Sequence, residues 1–156
     1  MAITTAFCVS AKPEMMTAVW DLTATTGDAL KVALIKATPT GTYDANITNA
    51  GTPGTGTPST SNLGTDEVSG TGYTSGGAAL TNITPVINGT AGVGDFPDVT
   101  WASASFSADG CMIYNSTGGN RALSIHDFGG TKTASGGNFV LQFPAADSSN
   151  AIVRLA

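Results

Sequence analysis

Apolar residues in the second half of this chain recur at every second position, in short runs separated mostly by glycine-bearing turns. Thr100, Ala102, Ala104 and Phe106 fall on one side of an extended segment, and Phe139, Leu141 and Phe143 on one side of another. A period of two puts alternate side chains on opposite faces of a strand, the pattern of an antiparallel sheet with one face buried. Candidate strands lie near Val99 to Phe106, Cys111 to Tyr114, Ala122 to Asp127, Asn138 to Phe143 and Ile152 to Leu155. Asp109-Gly110 is a hairpin signal between the first two. In the first half, Leu30 to Ala37 reads as a strand with Leu30, Val32 and Leu34 on one side and Lys31 and Ala33 on the other. Leu80 to Ile87 reads as another, with Pro85 marking an edge or a bulge. Some seven or eight short strands at this spacing predict an all-β fold, an antiparallel β-sandwich or jelly roll. A length of 156 residues fits one such domain, 1–156.

One short N-terminal helix is expected. Ser10 is placed to cap it, Pro13 suits its first turn, and Glu14 complements its dipole. Met15, Val19 and Leu22, with Trp20 beside them, read as its apolar face packed on a sheet.

Between residues 38 and 65 the composition changes to Thr, Gly, Pro and Asn, with Gly51-Thr-Pro-Gly-Thr-Gly-Thr-Pro-Ser-Thr60 at the centre. Ordering backbone costs about 1–2 kcal/mol per residue, and such a tract has little apolar surface to offset it. The expectation is an extended loop or arm, held in place by a neighbouring subunit.

Only 11% of the residues are charged, and the net charge is −5. Six basic residues scattered from Lys12 to Arg154 form no patch for phosphate neutralisation, so nucleic acid is not expected as a partner. No apolar run approaches the roughly 18 residues that span a bilayer, and the N-terminus lacks the pattern of a signal peptide. A soluble protein made in a cytoplasm is expected, with no membrane partner. A surface so poor in Lys and Glu has little to oppose association, and homo-oligomers are expected.

Residues that carry chemistry elsewhere read here as structural. The one histidine, His126, sits in Ser124-Ile-His-Asp127; on a strand Ser124 shares its face, Asp127 points away, and no acid is placed locally to orient it. Asp95 and Asp98 flank Phe96-Pro97 and read as turn formers rather than a hydrolytic pair. Cys8 and Cys111 have no metal-binding or CxxC spacing and read as reduced, buried residues. The glycines around Tyr73 lack the strand, helix and basic residue of a phosphate loop. Trp101 and Tyr73 are the aromatics to consider for sugar stacking, with core or interface packing favoured for Trp101 inside its strand. Four N-x-[ST] matches, at Asn46, Asn82, Asn88 and Asn115, are what an Asn- and Thr-rich chain produces by chance. No enzymatic activity and no cofactor or metal are expected.

Several blocks together resemble a family of small virion structural proteins of tailed bacteriophages. They are Met1-Ala-Ile-Thr-Thr-Ala-Phe-Cys8 followed by Ser10-Ala-Lys12, Leu30-Lys-Val-Ala-Leu-Ile35, Asp66-Glu-Val-Ser-Gly-Thr-Gly-Tyr-Thr-Ser-Gly-Gly77, Asp98-Val-Thr-Trp-Ala-Ser-Ala-Ser-Phe106, Ile113-Tyr-Asn-Ser-Thr117, Asp127-Phe-Gly-Gly-Thr-Lys132 and Phe143-Pro-Ala-Ala-Asp147. Some similar small β proteins serve as cement or decoration on capsids. The 38–65 tract is the departure from a minimal member.

The resemblance implies a decoration protein on the virion's capsid surface, with the major capsid protein and further copies of itself, as dimer or trimer, for partners. Its interface is expected at the N-terminal segment with Ile3 and Phe7, at Thr52, Pro53, Thr57 and Pro58 in the tract, and at the C-terminal Ile152 and Leu155. The rival expectation is a tail or fibre component that contacts a host receptor.

Overall fold

The computed structural model describes residues 3–156. One hairpin dominates it: β6 (Val99–Asn115) and β7 (Arg121–Leu141) run antiparallel from Val99 opposite Leu141 to Asn115 opposite Arg121. Asn115 closes the connecting loop, its buried side-chain oxygen accepting from Thr117 N (3.0 Å), Thr117 Oγ1 (2.9 Å) and Gly118 N (2.7 Å). Gly119 and Asn120 then take left-handed backbone, the conformation that these two residue types tolerate best.

Three further strands complete a five-stranded sheet ordered β1-β7-β6-β2-β3, namely β1 (Ala6–Phe7), β2 (Leu30–Lys36) and β3 (Ala78–Ala79). A second, three-stranded sheet has the order β4-β5-β8, from β4 (Val86–Asn88), β5 (Ala91–Gly94) and β8 (Val153–Leu155). All pairings within the two sheets are antiparallel. The all-β reading with one short α-helix therefore holds. Val153 of the small sheet shares a core with Leu34, Met112, Ile113, Leu123 and Ile125 of the large one. β2 is buried on both faces, Ala33 and Ile35 as fully as Val32 and Leu34, where the sequence placed Ala33 on an outer side.

The helix α1 (Ala11–Met16) is shorter than the apolar spacing implied. It stops because Ala18 adopts φ +56°, and Val19 and Leu22 lie beyond it. Ser10 makes no side-chain cap bond. Glu14 holds the helix instead, accepting from Trp20 Nε1 at 2.9 Å and pairing with Arg121 Nε at 3.2 Å.

Register is where local pattern and fold part company. Asp109-Gly110 is not a hairpin turn but the interior of β6. Opposite it, β7 bulges outward over residues 128–131, since Ala108 pairs with Lys132 and Gly110 with Asp127. Asp109 fastens the bulge by accepting from Thr131 Oγ1 at 2.6 Å and from Thr38 N at 2.9 Å. The segments Ala122 to Asp127 and Asn138 to Phe143 thus belong largely to one bent strand. A second bulge puts Trp101 opposite Phe139 but Ala104 opposite Gly137, with Ser103 at φ +50°. One extra residue inverts the parity of the run. Trp101, Ala104 and Phe106 face inward, while Thr100 and Ala102 are exposed. Leu80 to Ile87 is likewise not one strand. Pro85 removes a donor, and the buried Asn82 sends its amide to the backbone oxygens of Asp28 and Thr23.

The 38–65 tract is folded onto its own chain rather than extended. Tyr43, Ile47, Ala50 and Leu63 are buried and belong to the main core. Ala122 N donates to Thr48 O, Ala50 N to Asn120 O, and Thr4 N to Tyr43 O, so the tract spans from the N-terminal segment to the hairpin loop. Its anchors and backbone bonds lie within the chain itself, where the sequence predicts an arm held by a neighbouring subunit. Four apolar anchors spaced along a polar tract supply burial that the composition of its glycine-rich centre conceals.

Candidate interaction surface

Two side chains bind the backbone of the tract together. Asn62 Oδ1 accepts from Thr52 N (2.9 Å) and Gly64 N (3.2 Å), while its Nδ2 donates to Thr55 O and Thr57 O. Asp66 is fully buried and gathers Thr40 N, Gly41 N (2.7 Å), the Tyr43 hydroxyl (3.0 Å) and Lys36 Nζ (3.0 Å). Burial pushes its carboxyl up, but these donors outweigh burial and hold it at about 2. Beside it Glu67 is buried too, accepting from the Tyr73 hydroxyl (2.8 Å), Gly76 N (2.7 Å) and Ser75 Oγ (2.8 Å). Sequence reasoning missed this pair of hubs. Its signal was two adjacent acids closing a tract otherwise nearly free of charge.

Above these hubs the tract presents a neutral polar surface, with Thr52 and Thr57 exposed and Pro53 and Pro58 half-buried. Ile3 is not available in the same way. It lies under Gly110, where an added Cβ would come within 3.0 Å of its Cδ1, and it bridges to Tyr43.

Phe7 and Ile152, far apart in sequence, line one cleft of about 470 Å³ between the β1 edge and the C-terminal segment. Its polar and charged lining is Thr5, Ser124, His126, Asn150 and Arg154. Ser124 Oγ and His126 Nε2 are 2.9 Å apart, as their shared strand face requires, and burial lowers the imidazole to about 4, so it is neutral near pH 7. Ser124 itself is buried. Leu155 is elsewhere, 64% exposed on the small sheet. The eight expected interface residues are thus divided among the tract, the cleft, the small sheet and, for Ile3, a half-buried position against the core.

Comparison with family models, curated proteins and solved structures finds no match.

The remaining candidates resolve by packing. Trp101 is buried, stacked on Tyr73 (6.1 Å between centroids) and edge-on to Phe139, and Tyr73 also meets Phe106. Tyr73, considered for sugar stacking, spends its hydroxyl on Glu67 and on Leu34 N. Cys8 and Cys111 are free thiols, both buried and both pushed up to about 12, chiefly by burial. Asp98 accepts from Phe143 N at 2.9 Å and Asp95 from Phe96 N at 2.8 Å, bonds that tie down loops. Among the described residues no group of three or more His, Cys, Asp or Glu is placed to hold a metal, and no helix is long and apolar enough to cross a membrane.

Proposed function

We propose that this chain is a decoration, or cement, protein of a phage capsid, which binds the outer surface of the major capsid protein lattice and stabilises the head. It works by contact alone, as a dimer or trimer, without catalysis or cofactor. Its place is the virion surface after synthesis in the host cytoplasm, and its two sheets are the halves of a β-sandwich.

The observation that carries this reading is the internally hydrogen-bonded 38–65 tract, joined to the family resemblance of the sequence blocks. A neutral Thr, Gly and Pro surface already ordered by Asn62 and Asp66 docks without the cost of ordering a free loop. Thr52, Pro53, Thr57 and Pro58 are the groups it offers. A repeated lattice multiplies weak contacts into firm attachment.

The test is the number of copies per purified particle, by quantitative mass spectrometry against the major capsid protein. A number comparable to that of the lattice subunits is expected. A handful of copies overturns the reading and moves the chain to the tail.

One observation favours that second reading, a tail or fibre component contacting a host receptor. The Phe7 and His126 cleft is of ligand size and joins apolar walls to Ser124, Asn150 and Arg154, groups suited to a small polar ligand such as a glycan unit.

A further inference from the structure

Glu67 is a buried acid without a cation. It is only 4% exposed, yet among the described residues the ion pairs are Lys36 with Asp66 and Arg121 with Glu14. Lys36 is further committed to Thr65 O at 2.9 Å. Lys31 stops beside Gly76, where an added Cβ would lie 3.7 Å from its Nζ, and forms no ion pair. Buried charges are ordinarily paired, because taking an ion out of water is costly. The hydrogen bonds of Glu67 are also unevenly shared. Oε1 accepts from the Tyr73 hydroxyl (2.8 Å) and from Gly76 N (2.7 Å). Oε2 has only Ser75 Oγ (2.8 Å), whose single proton is also within reach of Pro53 O at 3.0 Å. A carboxylate has about four acceptor sites, so Oε2 keeps at least one open.

Glu67 and Ser75 line a pocket of about 350 Å³, together with Gly54, Val68 and the exposed Thr65 and Ser69. Gly54 keeps Oε2 accessible from it. Its φ of +79° favours glycine, and an added Cβ would stand 2.6 Å from Ser75 Oγ and 3.2 Å from Oε2. No basic residue lines the pocket.

We infer that this pocket binds a primary ammonium group, the side-chain terminus of a lysine presented by a protein partner. The ammonium supplies the missing counter-charge and the donor that Oε2 lacks, and the hydroxyls of Thr65 and Ser69 take its other protons. Val68 gives the lysine stem an apolar wall. Arginine fits worse, because a bidentate guanidinium needs an open site on each carboxylate oxygen and Oε1 is full. A divalent cation fits no better, since no second carboxylate lines the pocket. The pocket adjoins the contact surface proposed above through Ser75 and Pro53. Which protein carries the lysine rests on that reading; the preference for ammonium does not.

Titration of the full chain with n-butylamine at constant pH and ionic strength, followed through the amide signals of Gly54, Ser69, Gly70 and Gly76 by NMR, tests the pocket. Saturable shifts at these amides are expected, with n-butylguanidine about tenfold weaker and the neutral 1-butanol without effect. Glu67→Gln should weaken butylamine by about tenfold or more, the scale of one charge-assisted bond. Should that variant fail to fold, the exposed Ser69 carries the test: Ser69→Lys should weaken binding and Ser69→Asp tighten it, each by about threefold or more. A wild type without saturable shifts overturns the inference. So do 1-butanol or n-butylguanidine binding as well as the amine, a folded Glu67→Gln that binds normally, and equal binding by the two Ser69 variants. Copy number per particle is read separately. Amine binding by a chain scarce in the particle defeats the proposed function alone, and an abundant chain that ignores the amine defeats this inference alone.

Discussion

The hydroxyl of Tyr43 donates to the carboxylate of Asp66 across 3.0 Å, and both residues are fully buried. The contact joins the start of the 38–65 tract to its end, and Asp66 also pairs with Lys36. Removing one partner of a buried pair typically costs about 3–5 kcal/mol, because the other is left uncompensated. Lys36 is one-third exposed, which reduces that figure. Asp66→Asn also turns an amide nitrogen towards the Thr40, Gly41 and Tyr43 donors and should lower stability by about 2–3 kcal/mol in urea titrations, whereas Lys36→Met leaves the carboxylate those donors and should cost less.

Asn62 organises the crown of the tract through four bonds to backbone. Asn62→Ala removes those bonds, most of them exposed, with a cost of about 0.5–1.5 kcal/mol, and the loss is local. Limited proteolysis should then cut between residues 52 and 60 under conditions where the wild-type chain resists. Equal resistance in both would show that the apolar anchors alone order the tract.

His126 makes stability depend on pH. Burial depresses its folded pKa from 6.5 to about 4, so between those values the unfolded chain binds the extra proton and stability falls as pH drops. The loss amounts to about 1–3 kcal/mol at most. Asp95, raised by burial, works in the opposite direction, and Asp66 loses its contribution only below the ordinary carboxylate range, as pH falls towards 2. The difference in Tm between wild type and His126→Gln, followed from pH 7 to pH 4, isolates the histidine. It should shift steadily in favour of the variant with acidification.

Ser103 sits at φ +50° in the bulge of β6. A non-glycine residue held left-handed costs about 1–2 kcal/mol. Ser103→Gly should relieve part of that strain and raise stability by about 0.5–1 kcal/mol, while Ser103→Val should lower it by more. Loss of stability in the glycine variant would mean that the bulge needs the serine side chain.

Much of the β architecture was legible because its signals are local. Leu30 to Lys36 was readable from its apolar run, and the strands around Met112, Ile125 and Phe139 from alternation and flanking glycine. What alternation does not carry is parity across a bulge. The two residues between Trp101 and Ala104 are opposed by one, so Trp101 rather than Thr100 faces the core. Asp109-Gly110 has the composition of a turn, yet its carboxylate is consumed by Thr131 and by Thr38, 71 residues away in sequence.

By itself the sequence determined that this chain is a β protein, poor in charged residues, with one short helix. Each of these follows from composition or from neighbours within a few positions. Tertiary structure alone decided that the polar tract folds back on its own core, that Phe7 and Ile152 share a cleft, and that the buried Glu67 lines a pocket. Those outcomes depend on burial and hydrogen bonds between distant segments, and such pairings leave no periodic trace in the chain.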